Sequence, residues 1–430
     1  MSEMRWRWSE ADGAPVLSMN GRATENVRMS LLRSHPIATI AIAQLLGTSL
    51  WFSANSAAPD LMRAWGIGIS GIGLLTNAVQ LGFILGTSAF ALSGLADRFP
   101  ASKIFALSAV LGAAFNACFA ILSHGLMSAA VFRFLVGLCL AGIYPIGMKL
   151  VVSWVPERTG SALAYLVGML TLGTALPQGV RFLGARWQWQ AVILSSTVLA
   201  VIAACLILAL SDGPHLAVRR KLSGGKSGGV LAAFGSQDLR AAALGYFGHM
   251  WELYTFWTLV PLILAASQRQ GSSTSSVPGL AFIIISVGAL GCILGGIASR
   301  KVGSARVAAF ALATSGMCCL IAAAGWRQLS PNAFFVLLLV WGMAVVADSP
   351  QFSALSAKAA PPNLVGAVLA FQNSIGFAIT IVSIALATSL FGHLGLSIAW
   401  LLLPGPVLGL IGFHPLWGDT YRRPSETRDS

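Results

Sequence analysis

A histidine and a glutamate lie three residues apart in a strongly apolar part of the chain. They are His249 and Glu252, within the stretch GHMWELYTFW that runs from Gly248 to Trp257. Residues at positions i and i+3 of a helix share one face, so the two ionisable groups are expected to lie side by side. Burial favours the neutral form of a carboxyl group, a nearby base favours its charged form, and histidine titrates near neutral pH. The pair is therefore predicted to take up and release a proton. The alternative is a static hydrogen-bonded pair that holds helices together.

Other polar residues in the apolar segments are candidates for contact with a solute. Buried amides need hydrogen-bond partners, which a solute or a neighbouring helix can supply. Aromatic side chains can line a cavity or pack between helices, and an arginine can bind a ligand or brace helices. The candidate solute-binding residues are Trp51, Asn55, Arg133, Tyr144, Tyr254, Trp257, Gln372 and Asn373.

Two further charged residues lie near the ends of apolar segments. Asp348 is predicted to belong to a gate. Lys149 is predicted to join that gate, or to extend its ammonium group to the membrane surface.

The composition places these residues in a membrane protein. Hydrophobic residues make up 56% of the 430 residues and charged residues only 10%, against roughly a quarter in a soluble domain. Apolar segments of about 18 residues or more are candidates for transmembrane helices. Twelve are predicted, at 36–58, 71–93, 104–123, 127–148, 160–180, 188–210, 241–266, 279–299, 307–325, 331–352, 364–390 and 394–414.

The basic residues predict the orientation of these spans. With the N-terminus inside, 21 of the 27 Lys and Arg residues fall on the cytoplasmic side and five on the outside. The positive-inside rule therefore predicts that both termini are cytoplasmic. Because the basic residues are spread over many short loops, the net charge of +13 does not indicate nucleic-acid binding.

The spans divide into two groups of six. The polar segment SDGPHLAVRRKLSGGKSGG, Ser211 to Gly229, is predicted to be a flexible linker. The stretches PERTGSALAY (156–165) and PNLVGAVLAF (362–371) share a Pro-x-x-x-Gly pattern at equivalent positions, which indicates an internal duplication. The predicted units are a tail (1–35), a six-helix bundle (36–210), a linker (211–240), a second six-helix bundle (241–414) and a tail (415–430).

Several motifs resemble those of the major facilitator superfamily of secondary transporters. The loop SGLADRFPASK, Ser93 to Lys103, is similar to the family signature G-x-L-A-D-R-x-G-R-K, with Pro100 in place of the second glycine. The second half has GIASRKVGSAR in the equivalent loop, and Arg133, Gly137 and Gly142 match a further pattern of the family, R-x-x-x-G-x-x-x-x-G. The resemblance implies an all-α fold of twelve helices in two bundles. It also implies that Asp97 and Arg98 of the signature loop hold one conformation closed.

GHMWELY and ADSPQFSAL (Ala347 to Leu355) resemble a bacterial subgroup often described as nitrate/nitrite-like. The chain departs from that subgroup because its second and eighth predicted spans, 71–93 and 279–299, contain no arginine. The resemblance therefore leaves the substrate unassigned.

These observations predict a secondary transporter rather than an enzyme. No G-x-x-x-x-G-K-[S/T] ATPase loop is present, so energy is expected from an ion or solute gradient, and Glu252 and His249 favour protons as the coupling ion. An organic or inorganic anion is the expected solute if Arg133 or Lys149 faces the cavity. The alternatives are proton-driven efflux of apolar drug-like compounds and a non-transporting sensor. We expect a monomer in the bacterial inner membrane with no cofactor and no metal site.

Overall fold

The computed structural model describes residues 7–8, 15–16, 33–155, 159–215, 228–267, 277–361 and 364–418. Almost all of this part of the chain is α-helical, and two short strands, β1 (Arg7–Trp8) and β2 (Pro15–Val16), pair antiparallel. Ten segments are long and apolar enough to cross a membrane. One of them, Val365–Phe413, contains the long helix Val365–Leu394 followed by three shorter helical pieces, and the shorter apolar helix Pro36–Thr48 lies outside the ten. The chain is thus a multi-pass membrane protein.

The N-terminal half comprises helices α1 to α10. They are α1 (Pro36–Thr48), α2 (Ser53–Ser56), α3 (Ala58–Trp65), α4 (Ile69–Ser93), α5 (Leu95–Arg98), α6 (Ala101–Leu122), α7 (Leu126–Leu140), α8 (Tyr144–Trp154), α9 (Thr159–Leu183) and α10 (Trp189–Leu210).

The C-terminal half begins with a short helix and then has longer ones. They are α11 (Gly228–Ala233), α12 (Gln237–Ser267), α13 (Val277–Val302), α14 (Ser304–Gly325), α15 (Pro331–Ala347), α16 (Ser349–Ala359), α17 (Val365–Leu394), a 3₁₀ turn (Gly395–Ile398), α18 (Ala399–Leu402), α19 (Pro404–Phe413) and α20 (Pro415–Gly418).

The first predicted span, 36–58, is interrupted rather than continuous. Helix α1 ends at Thr48, and a turn separates it from α2, which begins at Ser53. No proline lies inside this turn. Instead, Ser49 Oγ donates to Leu46 O and Ser53 Oγ donates to Leu50 O, so side chains compete with the helical backbone bonds. The carbonyl groups around Leu50 are thereby freed for other partners.

Two further helices break at equivalent places. Helix α7 ends three residues before α8, which has Pro145 in its first turn, and α15 is followed by α16, which has Pro350 in its first turn. Proline lacks a backbone donor and favours the start of a helix, which accounts for both breaks. The helical segments reach Trp154 and Ala359, beyond the predicted ends at 148 and 352.

The predicted linker ends earlier than expected. Helix α12 begins at Gln237, inside the segment 211–240 that was predicted to be a linker. Asp238 lies in its first turn, where a negative charge is favourable, and Leu239 is buried, which together extend the helix beyond its apolar part. Residues 216–227 of the linker lie outside the described part, as do most of both tails and Pro156–Arg158 and Pro362–Asn363 of the repeated pattern.

The two halves meet along two pairs of helices. Helix α9 packs against α13, and α4 packs against α17. In the second pair, Asn77 Nδ2 donates to Ile381 O at 3.0 Å. A Cβ atom added to Gly73 would lie 2.1 Å from Thr388 Oγ1, so the helices can approach this closely only because Gly73 has no side chain.

Candidate functional site

A cavity of about 310 Å³ lies between the two halves. The N-terminal half contributes residues of α8 and α9, and the C-terminal half contributes residues of α12, α15, α16 and α17. None of the described lining residues is charged. They are Tyr144, Met148, Val167, Leu170, Tyr246, Met250, Leu253, Tyr254, Trp257, Val346, Ser349, Pro350, Ser353, Ala354, Ala357, Leu369, Asn373 and Phe377. Four predicted solute-binding residues are therefore brought together here: Tyr144, Tyr254, Trp257 and Asn373.

Aromatic rings from both halves meet at one end of this cavity. Trp51 lies 5.5 Å from Tyr254 and 5.8 Å from Phe377, measured between ring centroids. Phe52 lies 6.1 Å from Trp257, and Phe83 lies 4.5 Å from Phe377. We call these six residues the aromatic cluster. It lies at the end of the cavity that is lined by Trp257 of α12 and Phe377 of α17.

Glu252 is fully buried within the C-terminal half, and three polar side chains surround its carboxyl group. Trp341 Nε1 donates to Oε1 at 2.6 Å, Cys319 Sγ donates to Oε1 at 3.2 Å and Ser315 Oγ lies 2.9 Å from Oε2. The carboxyl group thus joins α12 to α14 and α15. It does not line the cavity, although the next residue, Leu253, does.

The partners of Glu252 fit a neutral carboxylic acid. Ser315 Oγ lies within hydrogen-bond distance of both Glu252 Oε2 and Leu312 O, at 2.9 and 3.1 Å, but a hydroxyl group has one proton to donate. If Glu252 carries a proton on Oε2, it donates to Ser315, and Ser315 donates to Leu312 O. Oε1 then accepts from Trp341 and Cys319. Every one of these groups is satisfied without a counter-cation.

His249 pairs with Asp348 rather than with Glu252. Its Nδ1 lies 2.8 Å from Asp348 Oδ1, and both side chains are 1% exposed. Although His249 and Glu252 are close in sequence, they have no partner in common. Asp348 lies between α15 and α16, and the two residues after it, Ser349 and Pro350, line the cavity. The pair is therefore one residue away from the cavity wall.

Arg133, predicted to bind solute, is fully buried in the N-terminal half and does not line the cavity. Its guanidinium group donates to the carbonyls of Leu50 and Trp51 at the break in the first span, to Ser53 Oγ at 3.0 Å and to Asn116 Oδ1 at 3.3 Å. Arginine can replace the missing helical donors because its planar fork presents several N–H groups at once. The contacts show Arg133 joining α7 to the first span and to α6.

The remaining predicted solute-binding residues lie away from the cavity wall. Asn55 Nδ2 donates to Thr76 Oγ1 at 2.9 Å, within the N-terminal half. Trp51 reaches the cavity lining through the aromatic cluster, and its Nε1 donates to Gln80 Oε1 at 3.2 Å. Gln372 is fully buried, and its amide group has no hydrogen-bond partner among the residues that the structure describes.

The predicted gate residues lie in two separate places. Lys149 Nζ donates to the backbone carbonyl of Ala96, in the short helix α5 of the signature loop. Arg98 is exposed, and the side chain of Asp97 lies outside the described part of the chain. Asp348 is the partner of His249. The gate assignment of these four residues stays a prediction.

Sequence reasoning missed the partners of the buried charges. Ser315, Cys319 and Trp341 surround Glu252, and Ser53 and Asn116 surround Arg133. Asn116 carried a signal, since an amide in the middle of an apolar helix needs a partner. Its Nδ2 donates to Ile193 O at 2.9 Å, and its Oδ1 lies 2.8 Å from Ser53 Oγ.

Comparisons with known proteins give a consistent result. The Major Facilitator Superfamily matches residues 40–385. Solute carrier family 22 member 6-A of Xenopus laevis is 32% identical over 122 residues, which are 28% of this chain and 22% of that protein. Solute carrier family 22 member 20 of Mus musculus is 34% identical over 128 residues, 29% of this chain and 22% of that protein. The chain is thus matched to about a fifth of the length of these relatives.

A solved structure has a similar fold. The crystal structure of the nucleoside transporter NupG matches with a TM-score of 0.67 and 12% sequence identity, over 89% of this chain and 98% of that chain. At this identity the similarity establishes the fold. Because the family match covers most of the chain and the fold agrees with it, the chain belongs to the Major Facilitator Superfamily.

Proposed function

We propose that the chain moves a small solute across the bacterial inner membrane as a monomer, by alternating access of the central cavity. The observation that carries this proposal is that residues of both halves line one cavity, so a tilt of one half against the other exposes it to either side. Twelve crossings follow if Val365–Phe413 crosses twice and α1 to α3 form one further crossing.

The cavity lies on the cytoplasmic side in the orientation that the basic residues favour. With both termini inside, the lining residues of α12 run from its cytoplasmic half to its middle, from Tyr246 to Trp257. Those of α17 run from Leu369 to Phe377 in the same direction. The aromatic cluster then lies at the outer end of the cavity. We propose that its rings close the outer path and must separate when the cavity opens outward.

An uncharged solute suits the cavity better than an anion. The expectation of an anion required Arg133 or Lys149 to face the cavity, but both donate to groups within the N-terminal half. The described lining residues supply aromatic, aliphatic and uncharged polar groups. We therefore favour the alternative of a largely apolar solute.

We propose that protons drive transport through the acidic groups of the C-terminal half. The hydrogen bonds around Glu252 are compatible with a protonated carboxyl group. The His249–Asp348 pair lies beside cavity-lining Ser349, at the break between α15 and α16. A change of charge at this break alters how α16 and α12 pack. That would couple proton binding to the position of the cavity wall.

The test uses purified protein in proteoliposomes that contain a pH-sensitive dye. A panel of neutral, anionic and cationic solutes is added under an imposed pH gradient, and proton movement and solute accumulation are recorded together. For a solute that is transported, Glu252→Gln and Asp348→Asn should abolish gradient-driven accumulation. Solute exchange without a gradient should continue, because the cavity is unchanged.

Asp238→Asn is the matched control, since Asp238 is an exposed acid on the same helix as Glu252. Its accumulation should equal that of the unmodified protein. Unchanged driven accumulation in both Glu252→Gln and Asp348→Asn would refute proton coupling through these residues. Binding without any exchange would instead indicate a sensor.

A further inference from the structure

One tryptophan of the cavity wall has an unpaired donor. Trp257 is 1% exposed, and its Nε1 has no hydrogen-bond partner among the described residues. The indole N–H group can only donate, and buried donors in proteins are nearly always paired. The other two fully buried tryptophans, Trp51 and Trp341, donate to Gln80 and Glu252. The N–H group of Trp257 therefore lacks an acceptor among the described residues, and Trp257 lines the cavity.

The surroundings of Trp257 are aromatic. Its ring lies 5.2 Å from the ring of Tyr254, and Tyr254 lies 5.2 Å from Phe377, measured between centroids. All three line the cavity, as do Tyr144 and Met250. Aromatic rings interact favourably in offset or edge-to-face arrangements, and methionine sulfur contacts ring edges. Such walls favour a flat ring over a flexible aliphatic chain.

The absence of charge among the described lining residues selects against ions. Placing a charged solute in a buried cavity removes it from water, and this is unfavourable unless an opposite charge is near. The polar groups of the wall include the side chains of Asn373, Ser349 and Ser353, which are uncharged. They can bind hydroxyl, carbonyl or amide groups without requiring a formal charge on the solute.

We propose that the cavity binds an uncharged solute with a planar aromatic ring and a hydrogen-bond acceptor, and that this acceptor accepts a hydrogen bond from Trp257 Nε1. The ring packs against Tyr254 and Phe377. This inference rests on the proposed role of the cavity as the solute site. It adds a chemical class to the solute and assigns Trp257 as a residue that determines specificity.

The experiment measures binding to purified protein in detergent at constant pH. Three matched probes are compared by calorimetric titration. 2-Naphthamide has the ring and a neutral acceptor, 2-naphthoate has the same ring with a negative charge, and decahydro-2-naphthamide has the acceptor without aromaticity. We expect 2-naphthamide to bind at least tenfold more tightly than either of the others.

Trp257→Phe keeps an aromatic ring but removes the donor. We expect it to weaken 2-naphthamide binding about tenfold, because the acceptor of the solute then stays unpaired in the cavity. Trp400→Phe is the control, since Trp400 is 48% exposed and outside the cavity, and its affinity should be unchanged. A circular dichroism spectrum and an unfolding temperature equal to those of the unmodified protein show that Trp257→Phe is folded.

Stronger binding of the naphthoate or of the saturated amide, equal affinity of Trp257→Phe, or no binding of any probe would overturn the proposed class. These outcomes leave the proposed transport function intact, because that function is tested separately by accumulation in proteoliposomes with a wider panel. Conversely, tight binding of 2-naphthamide with no movement across the membrane would refute transport of this class of solute but retain the binding site.

Discussion

In each half of the molecule, a fully buried ionisable side chain joins the same three helices of its bundle. In the N-terminal half, Arg133 of the fourth span contacts the first and third spans. In the C-terminal half, Glu252 of the seventh span contacts the ninth and tenth, which are the third and fourth of that half. One group is a base and the other an acid, and they lie on different helices of the three.

The two charges differ in how they are satisfied. Arginine stays protonated in proteins. Two of the acceptors of Arg133 are backbone carbonyls at the break in the first span. Glu252 lies on an unbroken helix, and its partners are side chains of two other helices. These partners also fit its neutral form. The comparison suggests that the N-terminal half is braced by a permanent charge. The C-terminal half contains the group that can change its protonation.

The internal duplication predicted from the sequence relates these two positions. The first and seventh spans each have a proline near their end, Pro59 and Pro261, and Leu50, whose carbonyl accepts from Arg133, has the same separation from Glu252 as these prolines have from each other. One half thus uses a broken helix and an arginine at the place where the other half uses a continuous helix and an acid.

The largest expected effect is that of removing the permanent charge. In Arg133→Met, the carbonyl of Trp51 and the amide oxygen of Asn116 lose a charged donor, and each such bond contributes about 1.5–3 kcal/mol. We expect the free energy of unfolding to fall by more than about 3 kcal/mol, measured by chemical unfolding in mixed micelles. Arg133→Lys keeps the charge but loses the fork, so its loss should be smaller. Equal stability of Arg133→Met and the unmodified protein would show that Arg133 does not brace the bundle.

A second prediction tests a close helix contact that both halves share. A Cβ atom on Gly137 would lie 2.1 Å from Val79 O, and one on Gly342 would lie 2.1 Å from Ile284 O, at equivalent positions of the fourth and tenth spans. We expect Gly137→Ala and Gly342→Ala each to lower the unfolding free energy by about 1–3 kcal/mol, because the helices must move apart. Gly392→Ala is the control, since open space surrounds that position. A large loss in only one of the two variants would show that the close packing is not equivalent.

The sequence predicts much of the fold but less of the site. Long apolar segments predict the helices, and Pro145 and Pro350 lie in helix starts that follow breaks. The break after Thr48 was harder to predict, because no proline marks it and one of the groups that satisfies its carbonyls is a distant arginine. Charge and apolar context correctly marked His249 and Glu252 as unusual, buried groups.

Their partners could not be predicted from spacing. His249 and Glu252 were expected to act together because they share a helix face, but Asp348 and Trp341 bind them from two places along the tenth span. Which groups meet depends on how each helix is rotated about its axis and where it is broken. A pattern within one helix does not specify either. Residues that line the cavity were found more reliably when they were aromatic, as with Tyr144, Tyr254 and Trp257.

The smallest expected effect on stability distinguishes the acid from the arginine. Glu252→Gln has the shape of the neutral acid: its oxygen can accept from Trp341 and Cys319, and its amide can donate to Ser315. We expect the unfolding free energy to change by less than about 1 kcal/mol, because no buried group loses its partner. Glu252→Leu leaves the Trp341 donor unpaired and should cost about 1–3 kcal/mol in the same micelle assay. If Glu252→Gln were as damaging as Arg133→Met, the acid would need its negative charge in the folded state. The C-terminal half would then be braced in the same permanent way as the N-terminal half.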